Sequence, residues 1–301
     1  MFSTFLTHYP QVHKPKIKHL FVESSHNLCY NICGDIMKFK NVLIASDFDG
    51  TLKNDEGEIT ADVRAAISDY ISKGGFFTVC TGRIYQGFHL YDPEYINAPV
   101  LLGNGAMAYD YEKQEIVFND AIGDEGLPAV NHLLTQFPDM CIEFYNTDKV
   151  CAVNLNEHSH HHFTSQDIEF FNVAKPEDAP RPWTKVMVAA HGRSVEVQKI
   201  LDEHPEVNYL KTTGNYVEIL KKGVDKGTGL HKLAEYLGVN KKDTYAAGDG
   251  YNDVEMLVAA AAGFVPENGS TEALDVATHV TRSNNDGCIA HAIEILDKLY
   301  K

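Results

Sequence analysis

The feature that most constrains the fold is a short apolar run that ends in two carboxylates. Residues 42–45 are all apolar, as a strand buried on both faces of a sheet requires. Asp47 and Asp49 follow, and because side chains alternate along an extended chain, they leave the strand end on the same side. Gly50 then permits a turn that a side chain would hinder. An isolated pair of this kind is most often a capped turn, but its charges repel unless a cation or a shared proton relieves them.

The same pattern of apolar strand, polar cluster and helix recurs along the chain. Further strands are predicted at residues 76–80, 100–102, 244–247, 263–265 and 279–281, and amphipathic helices follow several of them. Such repeats predict an α/β fold with a doubly wound, mostly parallel, Rossmann-like sheet. Ligands of these sheets bind at the carboxyl ends of the strands. Because polar clusters at Asp47, Thr81 and Asp249 follow strand ends, we expect them to lie together.

The middle of the chain predicts a second, smaller α/β domain. Two helix-plus-strand units over residues 121–211 form an insertion, which leaves residues 37–120 and 212–301 for the larger domain. Alternation typical of the larger domain resumes at Tyr216. Residues 1–36 contain lysines but no arginine and no apolar core, unlike a signal or transit peptide. We expect them to be a poorly ordered extension of a folded unit that begins near Met37.

Composition excludes several classes of partner. Lysine and arginine total 26 against 42 acidic residues, and the formal net charge of −16 argues against non-specific binding to nucleic acid or to an anionic membrane. No run approaches the roughly 18 apolar residues of a membrane-spanning helix, so we expect a soluble protein. The 6 cysteines show no spacing of a zinc site or a disulfide framework. They are interpreted as reduced thiols of a cytoplasmic protein.

The polar clusters suit an oxygen-only metal site and an anion site. Asp47, Asp249 and a carbonyl of the 48–50 turn would offer the ligands that Mg²⁺ prefers. Thr81 and the amide of Gly82 suit a phosphate oxygen. Lys226 precedes an amphipathic helix, from which its ammonium can return toward the sheet edge. Each feature alone has an ordinary alternative, namely a helix cap, a Thr-Gly turn or a solvated lysine.

Taken together, the clusters resemble the four motifs of the haloacid dehalogenase-like superfamily. In order along the chain they are Asp47-Phe48-Asp49-Gly50-Thr51-Leu52, Thr81-Gly82-Arg83, Lys226 within residues 223–227, and Gly248-Asp249-Gly250-Tyr251-Asn252-Asp253. Three further segments are similar to the Cof-type phosphatases with a type IIB cap: Asn104-Gly105-Ala106, Met256-Leu257 and Asn284-Asn285-Asp286-Gly287. The resemblance covers residues 37 to 301 and implies that the inserted domain is a cap over the site.

The resemblance implies a division of labour between the first two carboxylates. Asp47 would be the nucleophile that forms an aspartyl-phosphate, and Asp49 would protonate the leaving oxygen and then deprotonate the attacking water. For that role Asp49 would need its pKa raised by apolar, cap-closed surroundings and by Asp47. Hydrolytic dehalogenases lack this second Asp and P-type ATPases have Thr there, so a phosphatase or a phosphomutase remains.

The resemblance also implies the metal and phosphate ligands. Mg²⁺ would be bound by Asp47, the carbonyl of Asp49 and Asp249, with Asp253 supporting. The phosphoryl oxygens would be held by Phe48, Thr81, Gly82, Lys226 and Asn252. Positioning and charge neutralisation supply most of the catalysis in phosphoryl transfer.

The sequence therefore predicts a Mg²⁺-dependent phosphatase of small phosphorylated metabolites, sugar phosphates above others. A phosphomutase on the same scaffold would instead transfer phosphate between positions and respond to a bisphosphate. A non-catalytic sensor is the third alternative, although such a sensor would be expected to have degraded motifs. The expected state is a monomer or a small homo-oligomer.

The roles of two sets of residues stay open at this point. The stretch from His158 to His162 is interpreted as a solvated loop, although its histidines could also contact a substrate or a metal. Arg83 and Arg181 could meet an anionic substrate, but a structural or exposed position is the more ordinary one.

Overall fold

The protein is described here from a computed structural model, which places residues 37–300. The extension predicted for residues 1–36 lies outside the described residues. Within them the strands are β1 Leu43–Ser46, β2 Phe76–Val79, β3 Val100–Leu102, β4 Met107–Asp110, β5 Glu115–Asn119, β6 Ile142–Tyr145, β7 Val150–Val153, β8 Phe170–Asn172, β9 Lys185–Ala189, β10 Val207–Thr213, β11 Tyr216–Lys221, β12 Thr244–Ala247, β13 Ala262–Pro266 and β14 His279–Thr281. The helices are α1 Ala61–Ser72, α2 Leu127–Gln136, α3 Glu157–Ser165, α4 Ser194–Leu201, α5 Lys226–Leu237, α6 Val254–Ala259, α7 Thr271–Asp275 and α8 Cys288–Leu299.

The five-stranded sheet of the larger domain is parallel and has helices on both faces, which confirms the predicted fold class. Its order is β14-β13-β12-β1-β2, and every neighbouring pair is parallel. Side chains of β1 alternate between the two faces: Ile44 packs in one cluster with α1 and α8, and Leu43 and Ala45 pack in another with α5 and α6. All four residues of β1 are buried, as its apolar run requires. The first motif therefore starts from the rigid centre of the sheet.

A small antiparallel sheet of β3, β4 and β5 adjoins the five-stranded parallel sheet. An isolated parallel bridge between Cys80 and Leu101 continues β2 onto β3. β4 and β5 form a hairpin, with Asp110 opposite Glu115 beside the turn. This sheet brings the segment that follows β3, residues 103–105, to the edge where the motifs end.

The inserted segment forms a six-stranded sheet with the order β10-β11-β9-β6-β7-β8. Its pairs are antiparallel except for β7 with β8. One face packs on α2 and α4, and the other face contacts Phe163 of α3. We call this sheet and its helices the cap.

The boundary predicted after residue 211 is wrong by one strand. β11 pairs with β9 inside the cap sheet, with Tyr216 opposite Ala189 and Ile219 opposite Val186, and it forms a hairpin with β10. The return to the larger domain therefore follows Lys221. The sequence did not reveal this because an alternating buried strand looks the same in either sheet. Among the described residues no helix combines the length and apolarity that crossing a bilayer would need.

Candidate active site

Strand pairing brings the first and last motifs together. The Asp47 N–H donates to the Ala247 carbonyl at 2.8 Å, so the segment after β1 lies beside the segment after β12. On the other side, the Cys80 N–H donates to the Ser46 carbonyl at 2.8 Å. The polar residues that follow β1, β2 and β12 consequently meet at one edge, as the carboxyl ends of parallel strands do.

Lys226 is the central cation of this edge. The side chain of Asp225 caps α5 by accepting from the Thr228 N–H at 2.7 Å, which fixes Lys226 as the first residue of the helix. The ammonium is completely buried and lies 2.6 Å from Asp47 Oδ1 and 2.6 Å from Asp253 Oδ1. Burial alone would lower the pKa of Lys226, but the charges of Asp253 and Asp47 outweigh it and raise the pKa above its usual value. The side chain is therefore a fixed positive charge.

Asp253 acts as a support for the other groups. Its Oδ1 accepts from Lys226, and its Oδ2 accepts from the N–H groups of Asp249 at 3.0 Å and Gly250 at 2.8 Å. Both oxygens are thus already engaged, and the loop after β12 is held in shape by them. This geometry suits a supporting role better than a direct bond to a metal.

Three carboxylates form a set that could hold a cation. Oxygens of Asp47, Asp249 and Asp253 all lie within 4.8 Å of one another. Burial raises the pKa of Asp47 to about 8, with Lys226 opposing the shift and the two other carboxylates adding to it, and burial also raises the pKa of Asp249. The single ammonium of Lys226 offsets only part of the repulsion among three carboxylates, a divalent cation would offset the rest, and the oxygen-only donors suit Mg²⁺.

Two neighbours, Thr51 and Gly50, determine the position of the Asp249 carboxylate. The Thr51 hydroxyl donates to Asp249 Oδ1 at 2.6 Å. Gly50 has a φ of +92°, and a Cβ there would lie 2.6 Å from Asp249 Oδ2. Only glycine fits both the conformation and the space, so the turn of the first motif can pass directly against the carboxylate of the fourth.

Asp49 has surroundings different from those expected. Its two oxygens accept from Arg83 Nε at 3.0 Å and Arg83 Nη2 at 3.1 Å, and Lys53 Nζ is 3.8 Å away. The Asp49 side chain is 53% exposed. The expectation of an apolar enclosure is therefore wrong for this conformation. Arg83 has a structural partner inside the site, whereas Arg181 pairs with Asp124 in the cap.

Three of the five phosphate-site residues predicted from the sequence line one cavity, whereas Lys226 is buried behind Asp47 and does not line it. Thr81 is almost fully buried, and its hydroxyl accepts from the Arg83 N–H at 3.2 Å. Thr81, Gly82 and Asn252 all line the cavity. The ring of Phe48 is instead buried against Phe88, with ring centroids 5.5 Å apart. Phe48 can therefore offer the site only its main chain.

This cavity lies between the larger domain and the cap and has a volume of about 740 Å³. From the larger domain it is lined by Asp47, Asp49, Thr81, Gly82, Arg83, Ile84, Asp249, Gly250, Asn252 and Asp253. From the cap it is lined by Tyr145, His162, Ser165, Gln166, Lys185, Met187, Tyr216 and Glu218. A groove of about 830 Å³ along α5 and α6 includes none of Asp47, Asp49, Asp249 and Asp253. The cavity that contains the chemistry is thus the one the cap covers.

The histidine-rich stretch is helical rather than a loop. Asn156 caps α3 by accepting from the Ser159 N–H at 3.0 Å, and the helix covers His158 to His162. His162 lines the cavity, whereas His160 and His161 are exposed. The sequence signal for this helix was the asparagine cap, which the run of polar residues obscured.

Sequence reasoning missed a buried polar cluster behind His162. Glu143 is completely buried, and its Oε2 accepts the Tyr145 hydroxyl and lies 3.1 Å from His162 Nδ1. Gln166 Nε2 lies 2.7 Å from the other ring nitrogen of His162. Burial, followed by the charge of Glu143, raises the pKa of Tyr145 well above its usual value. The cluster therefore presents a neutral phenol and an oriented imidazole to the cavity.

A second missed pair links the cap to the motifs. Lys185 and Glu218 are 5% and 4% exposed, and Lys185 Nζ lies 3.3 Å from Glu218 Oε2. Lys185 Nζ also donates to the Gly82 carbonyl at 2.8 Å, and Glu218 Oε2 accepts from Asn104 Nδ2 at 2.7 Å. The available signal was the alternation of side chains within β9 and β11, which places Lys185 and Glu218 on one face of the sheet once the two strands are paired.

Comparison with known proteins agrees with this geometry. The sequence profile of the haloacid dehalogenase-like hydrolases matches residues 44–293. A Bacillus subtilis protein named 5-amino-6-(5-phospho-D-ribitylamino)uracil phosphatase YitU is 26% identical over 272 residues, which are 86% of this chain and 98% of that protein. A haloacid dehalogenase-like hydrolase from Bacteroides thetaiotaomicron has a TM-score of 0.73 at 23% identity, over 85% of this chain and 99% of the other.

A further solved structure, described as the subclass IIB sugar phosphatase BT4131, has a TM-score of 0.76 at 20% identity and covers 85% of this chain and 99% of its own. At 20–23% sequence identity, these two structural similarities show a shared fold and nothing more. The match over residues 44–293 shows that the chain belongs to the haloacid dehalogenase-like hydrolase family. Within that family it is a phosphatase, a hydrolase of phosphoric monoesters.

Proposed function

We propose that this protein is a Mg²⁺-dependent phosphatase of small phosphorylated metabolites, sugar or polyol phosphates above others, and that it acts through an aspartyl-phosphate. The observation that carries the proposal is the buried contact of Lys226 with Asp47 beside Asp249, at the floor of the cavity that the cap covers. A buried carboxylate next to a fixed cation can approach an anionic phosphate, because the ammonium offsets the repulsion between them.

In the first step an oxygen of Asp47 attacks phosphorus, a new O–P bond forms, and the bond from phosphorus to the leaving oxygen breaks. Asp49 gives its proton to that oxygen and afterwards takes a proton from the water that attacks the aspartyl-phosphate. As the water oxygen bonds to phosphorus, the O–P bond to Asp47 breaks, which releases inorganic phosphate and restores the carboxylate. Asp49 lines the same cavity, but Arg83 holds both of its oxygens. Asp49 can act only after it turns away from Arg83.

The remaining motif residues would hold the phosphoryl group and the metal. Thr81, Gly82, Lys226, Asn252 and the main chain of Phe48 would contact the phosphoryl oxygens. The metal would be held by Asp47, the Asp49 carbonyl and Asp249, with Asp253 behind them. When bound, a divalent cation supplies positive charge that neutralises the phosphate and the nucleophile.

The preference for sugar or polyol phosphates is supported by the cap wall. His162, Gln166 and Ser165 offer hydrogen bonds of the kind that hydroxyl groups make, within a cavity of metabolite size. Two proteins of similar sequence or fold are named as phosphatases of a ribityl phosphate and of sugars. The net charge of −16 argues against a nucleic-acid or anionic-membrane partner. A cytoplasmic location and a monomeric or small homo-oligomeric state are part of the same proposal.

A phosphate-release screen tests the proposal. The purified protein is assayed with sugar phosphates, ribityl phosphates, nucleotides, pyridoxal phosphate and phosphoglycolate, first with Mg²⁺, then with a chelator, then with Mg²⁺ restored. Asp47→Asn protein from an identical preparation controls for contaminating phosphatases. We expect release that needs both Mg²⁺ and Asp47. Phosphate transfer between positions with little net release, or release unaffected by chelation, would contradict the proposal.

A further inference from the structure

Asn104 is the buried residue that connects the cap to the phosphate-binding elements. Its side chain is completely buried, its Nδ2 donates to Glu218 Oε2 at 2.7 Å, and its Oδ1 accepts from Asn252 Nδ2 at 3.1 Å. A Cβ built on Gly82 would lie 3.2 Å from the same amide, so Gly82 also packs directly against it. Asn104 therefore touches two proposed phosphate-binding residues and one cap residue.

The backbone at Asn104 is unusual in a way that points to function. Residues 103, 104 and 105 all have positive φ, of 57°, 55° and 87°. Glycine adopts such values freely, but the asparagine between the two glycines does so at an energetic cost. A Cβ on Gly105 would lie 2.3 Å from the Asp225 carbonyl, so the segment is pressed against the start of α5, which carries Lys226. This packing holds the strained amide in place.

The chemistry of Glu218 decides which way the Asn104 amide points. A carboxylate paired with the Lys185 ammonium can only accept hydrogen bonds, so it selects the NH₂ end of Asn104. The carbonyl end then faces Asn252 and accepts one N–H of its amide. The second N–H on Asn252 Nδ2 is left for an oxygen atom in the cavity that Asn252 lines.

We propose that Asn104 is a positioning residue: Glu218 of the cap orients its amide, and that amide orients Asn252 and packs the Gly82 turn, so that cap closure completes the phosphate-binding site. The inference rests on the proposed phosphatase function. Lys185 acts in the same sense, because its hydrogen bond to the Gly82 carbonyl forms across the same boundary between the cap and the larger domain.

Two isosteric variants test this relay. Glu218→Gln keeps the shape but offers an NH₂ group, so the Asn104 amide is no longer forced into one orientation. Asn104→Asp removes the donor and sets two carboxylates against each other. Glu203→Gln changes an exposed cap glutamate and is the matched control. The measurements are kcat, KM, inhibition by orthovanadate with Mg²⁺, and the melting temperature, all taken well below the lowest melting temperature of the set.

Orthovanadate probes the phosphoryl site without the leaving group. We expect both variants to lose about 10- to 100-fold in kcat and in orthovanadate affinity, as changes to groups that orient a ligand commonly do. KM should change much less, because the cap wall around His162 is untouched, and Glu203→Gln should match the wild type. A merely structural role would lower the melting temperature and leave orthovanadate inhibition of the folded protein unchanged.

The two proposals fail in different ways. If the wild-type protein releases phosphate while both folded variants keep wild-type kcat and orthovanadate inhibition, the positioning role is overturned and the phosphatase function stands. If the wild-type protein releases phosphate from no ester in the screen, the proposed function itself is overturned, and the positioning role with it.

Discussion

The two walls of the cavity are built on different principles. The wall from the larger domain is centred on the carboxylates of Asp47 and Asp253, and the buried Lys226 lies 2.6 Å from each of them. The cap wall consists of polar side chains from α3 and from three strands of one antiparallel sheet, among them His162 and Lys185. The first wall is a single charge network, whereas the second is a set of separate hydrogen-bonding groups.

This difference indicates where chemistry and selectivity can change. In the charge network every group depends on the others, because removing one leaves a buried charge without a partner. In the cap wall, polar side chains form hydrogen bonds within small groups, such as His162 with Glu143. One such group can therefore be substituted while the others keep their hydrogen bonds. We therefore expect core substitutions to abolish activity and substitutions in the His162 unit to alter the choice of substrate. Glu218 is the exception in the cap, because it contacts Asn104 of the larger domain.

The largest expected effect is at Asp47, the proposed nucleophile. Asp47→Asn keeps the shape of the side chain but removes the attacking oxygen anion, and kcat should fall by about 10⁴-fold or more, as the loss of a catalytic residue commonly does. The measurement is phosphate release at saturating substrate, and the melting temperature is the control for folding. Activity within tenfold of the wild type would show that Asp47 is not the nucleophile.

Stability gives the second test of the charge network. Lys226→Met leaves the Asp47 and Asp253 carboxylates buried without their cation, and breaking such a pair should lower the free energy of unfolding by about 3–5 kcal/mol. Urea unfolding measures the change. Lys232→Met is the control, because its ion pair with Asp120 is largely exposed and should contribute at most about 1 kcal/mol. Equal effects for the two lysines would contradict the proposed network.

The larger domain and its wall could be predicted because local pattern determines them. The buried run before Asp47 requires a strand covered on both faces, and parallel pairing then places Asp249 beside it. No long-range information beyond the strand order is needed. The environment of Asp49 is the exception, since its contact with Arg83 depends on which way two exposed side chains turn.

The cap could not be predicted to the same depth. Its wall depends on which strands pair and in what register, and the pattern of Tyr216–Lys221 did not reveal that this strand joins the cap sheet. The polar residues of its inner face, such as Glu218, are visible as alternation only after the strands are assigned. The start of helix α3, where Asn156 is the N-cap residue, could not be recognised in the sequence because the helix carries few apolar residues.

The third prediction concerns the cap wall. His162→Asn removes the imidazole that lies between Glu143 and Gln166. The KM for a sugar or polyol phosphate should rise by about tenfold, because one or two hydrogen bonds to the substrate are lost. A small aryl phosphate, whose leaving group does not reach the cap, should be turned over almost as before. His161→Asn, an exposed neighbour on α3, is the matched control. An equal loss of kcat for both substrates would place His162 in the chemical step instead.

The smallest expected effect is on melting temperature, and it couples the metal to pH. Burial raises the pKa of Asp47 from 3.8 to about 8 and also raises that of Asp249. The folded state therefore binds more protons than the unfolded chain between these values. The stability that these groups contribute is fully present below about pH 4 and is lost as the pH rises toward 8. With a chelator present, the melting temperature should therefore fall as the pH rises from about 4 toward 8.

A divalent cation should reverse that loss, because it stabilises the ionised carboxylates. We expect Mg²⁺ to raise the melting temperature by a few degrees more at pH 8 than at pH 5, since 1 kcal/mol corresponds to about 2–4 °C in a domain of 150–250 residues. Asp249→Asn should reduce the Mg²⁺-induced shift, and sodium at matched ionic strength should not reproduce it. A shift that is equal at both pH values would mean that the cation binds elsewhere than at these buried carboxylates, and the distinction between the two walls would then lose its electrostatic basis.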